Sequence, residues 1–237
     1  GALTPAAAQV VSQAGVLTRL AHARGEALRT MAGVRVSAST GERTTEAAGA
    51  RVRERLAEGR TNGPRQAWNW QRDAQGRTCA YVSLDATGVR RQAAGGARAD
   101  GRMAQVGMVY NPASDHDPRR PPRRQVRFLS GFYELDELGR RLRREAEAVG
   151  VMEADQQIAL SDGGAGLENV LRTFFPNAEC ILDFWHAKEY LVELAQALYG
   201  DEDPARTAWL DLWCHRLKHE GGACVAAHLE ALDLADR

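Results

Sequence analysis

Two aspartates stand where apolar runs give way to turns. Asp85 lies inside TCAYVSLDATGVR, residues 78 to 90, and Asp162 closes IALSD just ahead of the glycines of GGAGLENV. A carboxylate in a strand buried on both faces costs several kcal/mol unless a cation stands beside it, so Asp85 is expected to need such a partner. If the two apolar runs are neighbouring strands, both carboxylates reach one spot. Like charges that close repel each other unless a divalent ion holds them. Mg²⁺ suits a pair of hard oxygen ligands, because it keeps several waters and accepts phosphate oxygens as its remaining ligands. Two such ions can activate a water or a 3′-hydroxyl and stabilise the leaving oxygen of a phosphodiester. The plain alternative is that Asp162 caps the following helix and Asp85 pairs with an arginine.

A third stretch, CILDFWHAKEYL, sets Asp183 and His186 in the pattern D-x-x-H. Two ligands alone do not hold zinc, and a helix-capping Asp hydrogen-bonded to its His is the simpler reading. In WCHRLKHEGGAC, Cys214, His215, His219 and Cys224 invite a zinc reading, since His at i and i+4 share a helix face. That segment lacks the Cys pairs or H-E-x-x-H order of known zinc sites. The glycines Gly163, Gly164 and Gly166 lack the Lys and Ser or Thr of a P-loop and read as a turn. Glu168, in the helix after them, could turn back toward Asp162 or simply belong to a solvated face.

The elements that would position these groups are legible in the periodicity. Residues 5 to 32 are rich in Ala and Leu at helical spacing, read as two short helices with Gly33 as the stop. A further helix capped by Ser39 or Thr40 runs to about Leu56. Helix, turn and helix could present Arg43, Thr44, Arg51 and Arg53 to a DNA groove, or form a three-helix bundle for oligomerisation. Residues 61 to 77 are polar with Gly, Pro and Asn and read as a linker, with Trp68 and Trp70 pinning it to the next domain. From residue 78, three strand-like runs are separated by a Gly-rich turn and by ASDHDPRRPPR, which carries Arg119, Arg120 and Arg123, with Arg124 adjoining. A helix, strand, helix, strand and helix succeed them. The order β-β-β-α-β-α-β-α predicts an α/β fold with a ribonuclease-H-like mixed five-stranded sheet, rather than a doubly wound nucleotide fold. The division expected is residues 1–60 helical and helix-turn-helix-like, 61–77 linker, 78–187 catalytic core, and 188–237 the start of an all-helical region.

Charge is distributed unevenly along a chain whose net charge is zero, with 31 Lys and Arg against 31 Asp and Glu. Residues 1–128 hold 21 basic and 10 acidic side chains, and every basic one is Arg. Arginine suits bidentate phosphate contacts, although a GC-rich genome also writes it by default. The four cysteines show no C-x-x-C spacing and no secretory signal precedes them, so a cytoplasmic protein with reduced thiols is expected. No apolar stretch approaches the roughly 20 residues of a membrane span.

With these residues in view, YVSLDATGV, ALSDGGAGLENVLRTFFPNAECILDFWHAKEYL and VRVSASTGERTTEAAG resemble bacterial insertion-sequence DDE transposases of the ISKra type, relatives of the Mutator-like group. The resemblance implies a ribonuclease-H-like catalytic domain in which three acids bind two Mg²⁺ or Mn²⁺ ions and DNA is cut and rejoined at element ends. It implies Asp85 as the first acid and Asp162 as the second. Asp183 and His186 match the family's C/D-x-x-H signature, in a structural or substrate-positioning role. Double-stranded DNA, as terminal repeats and target, is the partner implied, engaged through Arg43, Arg51, Arg53, Arg119, Arg120, Arg123 and Arg124. A nucleoid-associated cytoplasmic location, no membrane and a homo-oligomeric assembly fit that picture. The family's third acid is a Glu beyond a helical insertion. Glu220, about 34 residues after His186, is too early for it. The chain is therefore expected to stop before that Glu and to lack strand transfer alone. The alternative expectation is a catalytically dead DNA-binding or interaction protein derived from such an enzyme.

Overall fold

The computed structural model describes residues 3–17, 21–91, 100–112, 125–164 and 166–231. It divides into two compact units, Gly1–Asn62 and Gly63–Arg237.

The first unit is helical, with α1 (Pro5–Leu17), α2 (Ala21–Ala32) and α3 (Ala38–Ala57). Val11 and Leu28 are its buried anchors, and α1 packs on α3, where the Ser12 hydroxyl reaches the Thr44 carbonyl at 3.4 Å. The α3 cap is Ser37 rather than Ser39 or Thr40. Its backbone is extended, and its Oγ accepts from Thr40 N at 3.2 Å. Of the three hydroxyl residues Ser37, Ser39 and Thr40, the one still outside helical dihedrals can turn its oxygen onto the orphan donors of the first turn.

The second unit is built on a mixed sheet. Its strands are β1 (Gln71–Arg72), β2 (Thr78–Arg91), β3 (Asp100–Asn111), β4 (Gln125–Gly131), β5 (Gln156–Ser161) and β6 (Ala178–Leu182). The main path runs β4-β3-β2-β5-β6, and two-residue β1 pairs with β2. The sheet thus has six strands where five were expected. The hairpin pairs β2–β3 and β3–β4 are antiparallel, while β2–β5 and β5–β6 are parallel. Parallel neighbours need crossovers, supplied by α4 (Leu135–Ala148) and α5 (Leu167–Phe174).

Both crossover helices lie on one face of the sheet. Along β2, Ala80, Val82 and Leu84 point into that layer and are buried, joined by Val109, Leu129 and Ala159 from neighbouring strands. Helix α4 answers with Leu138, Leu142 and Ala146, one stripe at a spacing of four. Gly139 lets α5 approach: a Cβ there would lie 2.1 Å from Phe174 Cδ2. One ion pair is buried in the same layer, Arg127 Nη1 to Glu145 Oε2 at 2.9 Å, with side chains 8% and 2% exposed. The opposite face carries Tyr81, Ser83 and Asp85 in alternation, with Val126, Phe128 and Ile181 exposed on the flanking strands.

Residues 63 to 77, expected as a linker, belong to this second unit. Gln66 N and Trp68 N donate to the Ala148 and Val149 carbonyls at 2.9 Å each, and Trp70 Nε1 donates to the Gly150 carbonyl at 3.0 Å. These carbonyls are orphans at the end of α4, so the segment satisfies them while Trp70 fills the core. Polar composition concealed this role, because the bonds use backbone groups. After β6, α6 (Phe184–Tyr199), α7 (Ala205–Glu220) and α8 (Gly222–Glu230) form a second cluster around Leu191, Trp213 and Val225. Among the described residues, no helix is long and apolar enough to cross a membrane.

Candidate functional site

Strand register decides where the aspartates sit. Leu84 of β2 pairs with Ser161 of β5, and Ser161 pairs with Leu182 of β6. The next residues are Asp85, Asp162 and Asp183, level with one another across three adjacent strands. Asp183 N donates to the Ser161 carbonyl at 2.9 Å, so the ladder continues past the end of β6. With neighbouring strands about 4.8 Å apart, the three Cα atoms lie within roughly 10 Å. Sequence reading assigned Asp85 and Asp162 to one spot but gave Asp183 a different role. The signal for its membership was available: IALSD and CILD both end on Asp after apolar runs.

The environment of Asp85 corrects the expectation of burial. Its side chain is exposed on the sheet face opposite α4 and α5, and no Lys or Arg pairs with it among the described residues. Solvent removes the desolvation cost that called for a cation. Its Oδ1 accepts from Ala86 N at 2.7 Å. Asp162 is half-buried, and its Oδ1 accepts from Gly164 N at 2.9 Å. This is a turn bond, not the helix cap: α5 begins after Gly166, two residues beyond. Gly163 takes a φ of 74°, a left-handed conformation that favours glycine, and so directs the chain out of β5. Asp183 is the N-cap of α6, with Oδ1 accepting from Trp185 N at 2.8 Å.

Each carboxylate thus commits one oxygen to a backbone N–H, which fixes its rotamer. The second oxygen has no hydrogen bond among the described residues. Carboxylate oxygens are donors of the kind Mg²⁺ or Mn²⁺ takes, but the three side chains share a level without all gathering their oxygens within 4.8 Å of one another. Tyr110 lies close enough for the Asp183 charge to act on it. Burial, then the stacked Tyr81 ring 5.1 Å away, then Asp183 hold its phenol above the usual value, so it stays a neutral hydroxyl at physiological pH.

His186 Nδ1 is enclosed and stands 3.6 Å from Asp183 Oδ1, beyond hydrogen-bonding reach, so the expected Asp–His hydrogen bond is not made. Glu168 is engaged along its own helix, its Oε1 accepting from Arg172 Nε and Nη2 at 2.9 and 2.6 Å.

A scan of protein-family models and a search of curated proteins give no match to this chain.

In the first unit, Arg43, Arg51 and Arg53 are exposed on α3, whereas Thr44 is half-buried. Arg43 Nε donates to the Ser39 carbonyl at 3.3 Å. Arg51 and Arg53 are two residues apart and so project about 160° from each other around the helix. Arg119, Arg120, Arg123 and Arg124 lie outside the described residues.

The Cys214, His215, His219 and Cys224 zinc reading also resolves differently. The His215 and His219 rings lie with centroids 4.3 Å apart and planes tilted by 44°. Cys224 instead meets Glu220 and His228, a group that sequence reading missed. Its signal was the E-x-x-x-C-x-x-x-H spacing, hidden because Gly221 and Gly222 divide it between two helices.

Proposed function

We propose that this chain carries the metal-binding core of a DDE-type DNA transposase of the ISKra-like group, with Asp85 and Asp162 as the first two acids. The observation that carries the reading is the β2–β5 register, which sets these two carboxylates level on adjacent strands. Further support comes from the path β4-β3-β2-β5-β6, with its antiparallel hairpins and parallel crossovers, which is the order a ribonuclease-H-like sheet requires. Asp183, at the same level one residue past β6, adds a third carboxylate to the row.

Asp85 and Asp162 would hold Mg²⁺ or Mn²⁺, which when bound supplies Lewis-acid activation of the attacking oxygen and charge neutralisation at phosphorus. The protein's own contribution is positional. The Ala86 and Gly164 N–H groups lock the two carboxylates, and the open sheet face leaves room for a phosphodiester. Double-stranded DNA is the substrate and partner in this reading, and the nucleoid its location. Exposed arginines on α3 supply phosphate contacts.

Calorimetric titration of Mn²⁺ into the chain and into its Asp85→Asn and Asp162→Asn variants tests the proposal, alongside cleavage of a DNA duplex. Binding should be lost in both variants. Equal binding in all three proteins refutes it. Salt-dependent DNA binding with no aspartate-dependent metal binding would favour the alternative, a DNA-binding protein derived from such an enzyme.

A further inference from the structure

The α7–α8 junction brings together a second set of donors, unrelated in place and chemistry to the aspartate row. Glu220 is the last residue of α7, and Cys224 and His228 lie one turn apart on α8. Gly221, at φ 85°, breaks the helix between them and folds Glu220 over the first turns of α8. The Cys224 Sγ stands 3.6 Å from Glu220 Oε2 and 3.6 Å from His228 Nδ1, and these last two are 3.9 Å apart.

Such distances are those between ligands sharing one small ion. With bonds of about 2.3 Å to sulfur and about 2.0–2.2 Å to nitrogen and oxygen at tetrahedral angles, ligand atoms lie roughly 3.3–3.6 Å apart. The triangle seen here therefore needs only a few tenths of an ångström of contraction. The Glu220 and His228 side chains both reach solvent, so one position stays available to water.

We propose that Glu220, Cys224 and His228 form a binding site for a borderline divalent transition ion of the Zn²⁺ class, with a fourth ligand from solvent. Thiolate and imidazole select against Mg²⁺, which keeps this site distinct from the carboxylate row. Binding displaces the thiol proton and joins the end of α7 to α8 through metal–ligand bonds in place of the weak sulfur contacts. The ion would thus clip the two helices around the Trp213 and Val225 cluster.

The test uses the full chain, reduced and freed of metal by chelation, titrated with Co²⁺ and then Zn²⁺. Four-coordinate Co²⁺ bound by sulfur gives intense visible bands and a thiolate-to-cobalt charge-transfer band. We expect both at one equivalent, and their loss when Zn²⁺ displaces Co²⁺. Cys224→Ser should abolish the charge-transfer band. His228→Ala and Glu220→Gln should each weaken Zn²⁺ binding by at least about 10–100-fold, the loss typical of disturbing even an outer partner of a metal ligand. Cys214→Ser and Asp85→Asn should change nothing. All three ligands lie at the surface, and unchanged far-ultraviolet circular dichroism would certify each variant's fold. Absence of the bands overturns the proposal, as does a band that survives Cys224→Ser or disappears with Cys214→Ser. Loss of Mn²⁺ binding at the aspartates leaves this result untouched, so the two readings fail separately.

Discussion

Replacing Glu145 with leucine would leave the Arg127 guanidinium inside the sheet–helix layer without its carboxylate. The pair is 2.9 Å apart, and its two side chains are 8% and 2% exposed. Arg127 keeps a bond to the Pro64 carbonyl and lies 5.9 Å from the Trp68 ring centroid, but neither contact neutralises its charge. Removing one member of such a buried pair costs about 3–5 kcal/mol. For a unit of this size, each kcal/mol lowers Tm by about 2–4 °C, so Glu145→Leu should melt about 6–20 °C below the parent. Urea denaturation followed by tryptophan fluorescence reads the transition, since Trp68 lies against Arg127 and Trp70 is in the core of the same unit. The double variant Arg127→Met with Glu145→Leu should recover most of the loss, because apolar side chains of similar volume replace a buried ion pair at little cost. A Glu145→Leu loss below about 1 kcal/mol would overturn this expectation, as would a double variant no better than the single one. The first result would mean that water reaches the pair and screens it.

Other contacts give further expected outcomes. Gly139→Ala places a Cβ against Phe174 and should cost about 1–3 kcal/mol by overpacking the α4–α5 contact, measured by denaturant titration. Asp183→Ala removes the cap of α6 and should cost about 1 kcal/mol on the same assay. The Thr78 backbone N–H, then its hydroxyl, hold the Asp155 carboxyl below the usual range. A depressed folded-state value contributes stability above the unfolded carboxylate range that is lost as pH falls through the folded value. Thr78→Val removes the hydroxyl part of that interaction and should therefore lower stability most at neutral pH and flatten the acid limb, the two curves converging below the folded value.

Much of the sheet was readable because its signals are local. The β2, β5 and β6 runs are apolar and bounded by turns, and α4 spaces Leu138, Leu142 and Ala146 at intervals of four. The meander, the crossovers and their order can all be read from such patterns. Three features could not, for one shared reason: each depends on groups that lie across a gap in sequence. Asp85 looked buried because its strand is apolar, yet exposure depends on which face the helices cover. The 63–77 segment looked like a linker because its polar side chains gave no hint that its backbone would meet the end of α4. The Glu220, Cys224 and His228 group spans a helix break at Gly221, so its regular spacing of four did not mark it as the face of one helix. Asp85 and Asp162 were singled out by type, whereas Asp183 came level with them only once the β5–β6 register was known.

That shared level has an evolutionary corollary. Because side chains alternate across a pleated ribbon, deleting a single residue between Gln156 and Ser161 would swing Asp162 from the open side toward the layer packed by Leu171 and Phe175. Point changes along this edge can be absorbed one at a time, but a frame-preserving codon loss in β5 cannot. Lineages keeping the row intact should tolerate varied letters here while holding the spacing from Gln156 to Asp162 constant.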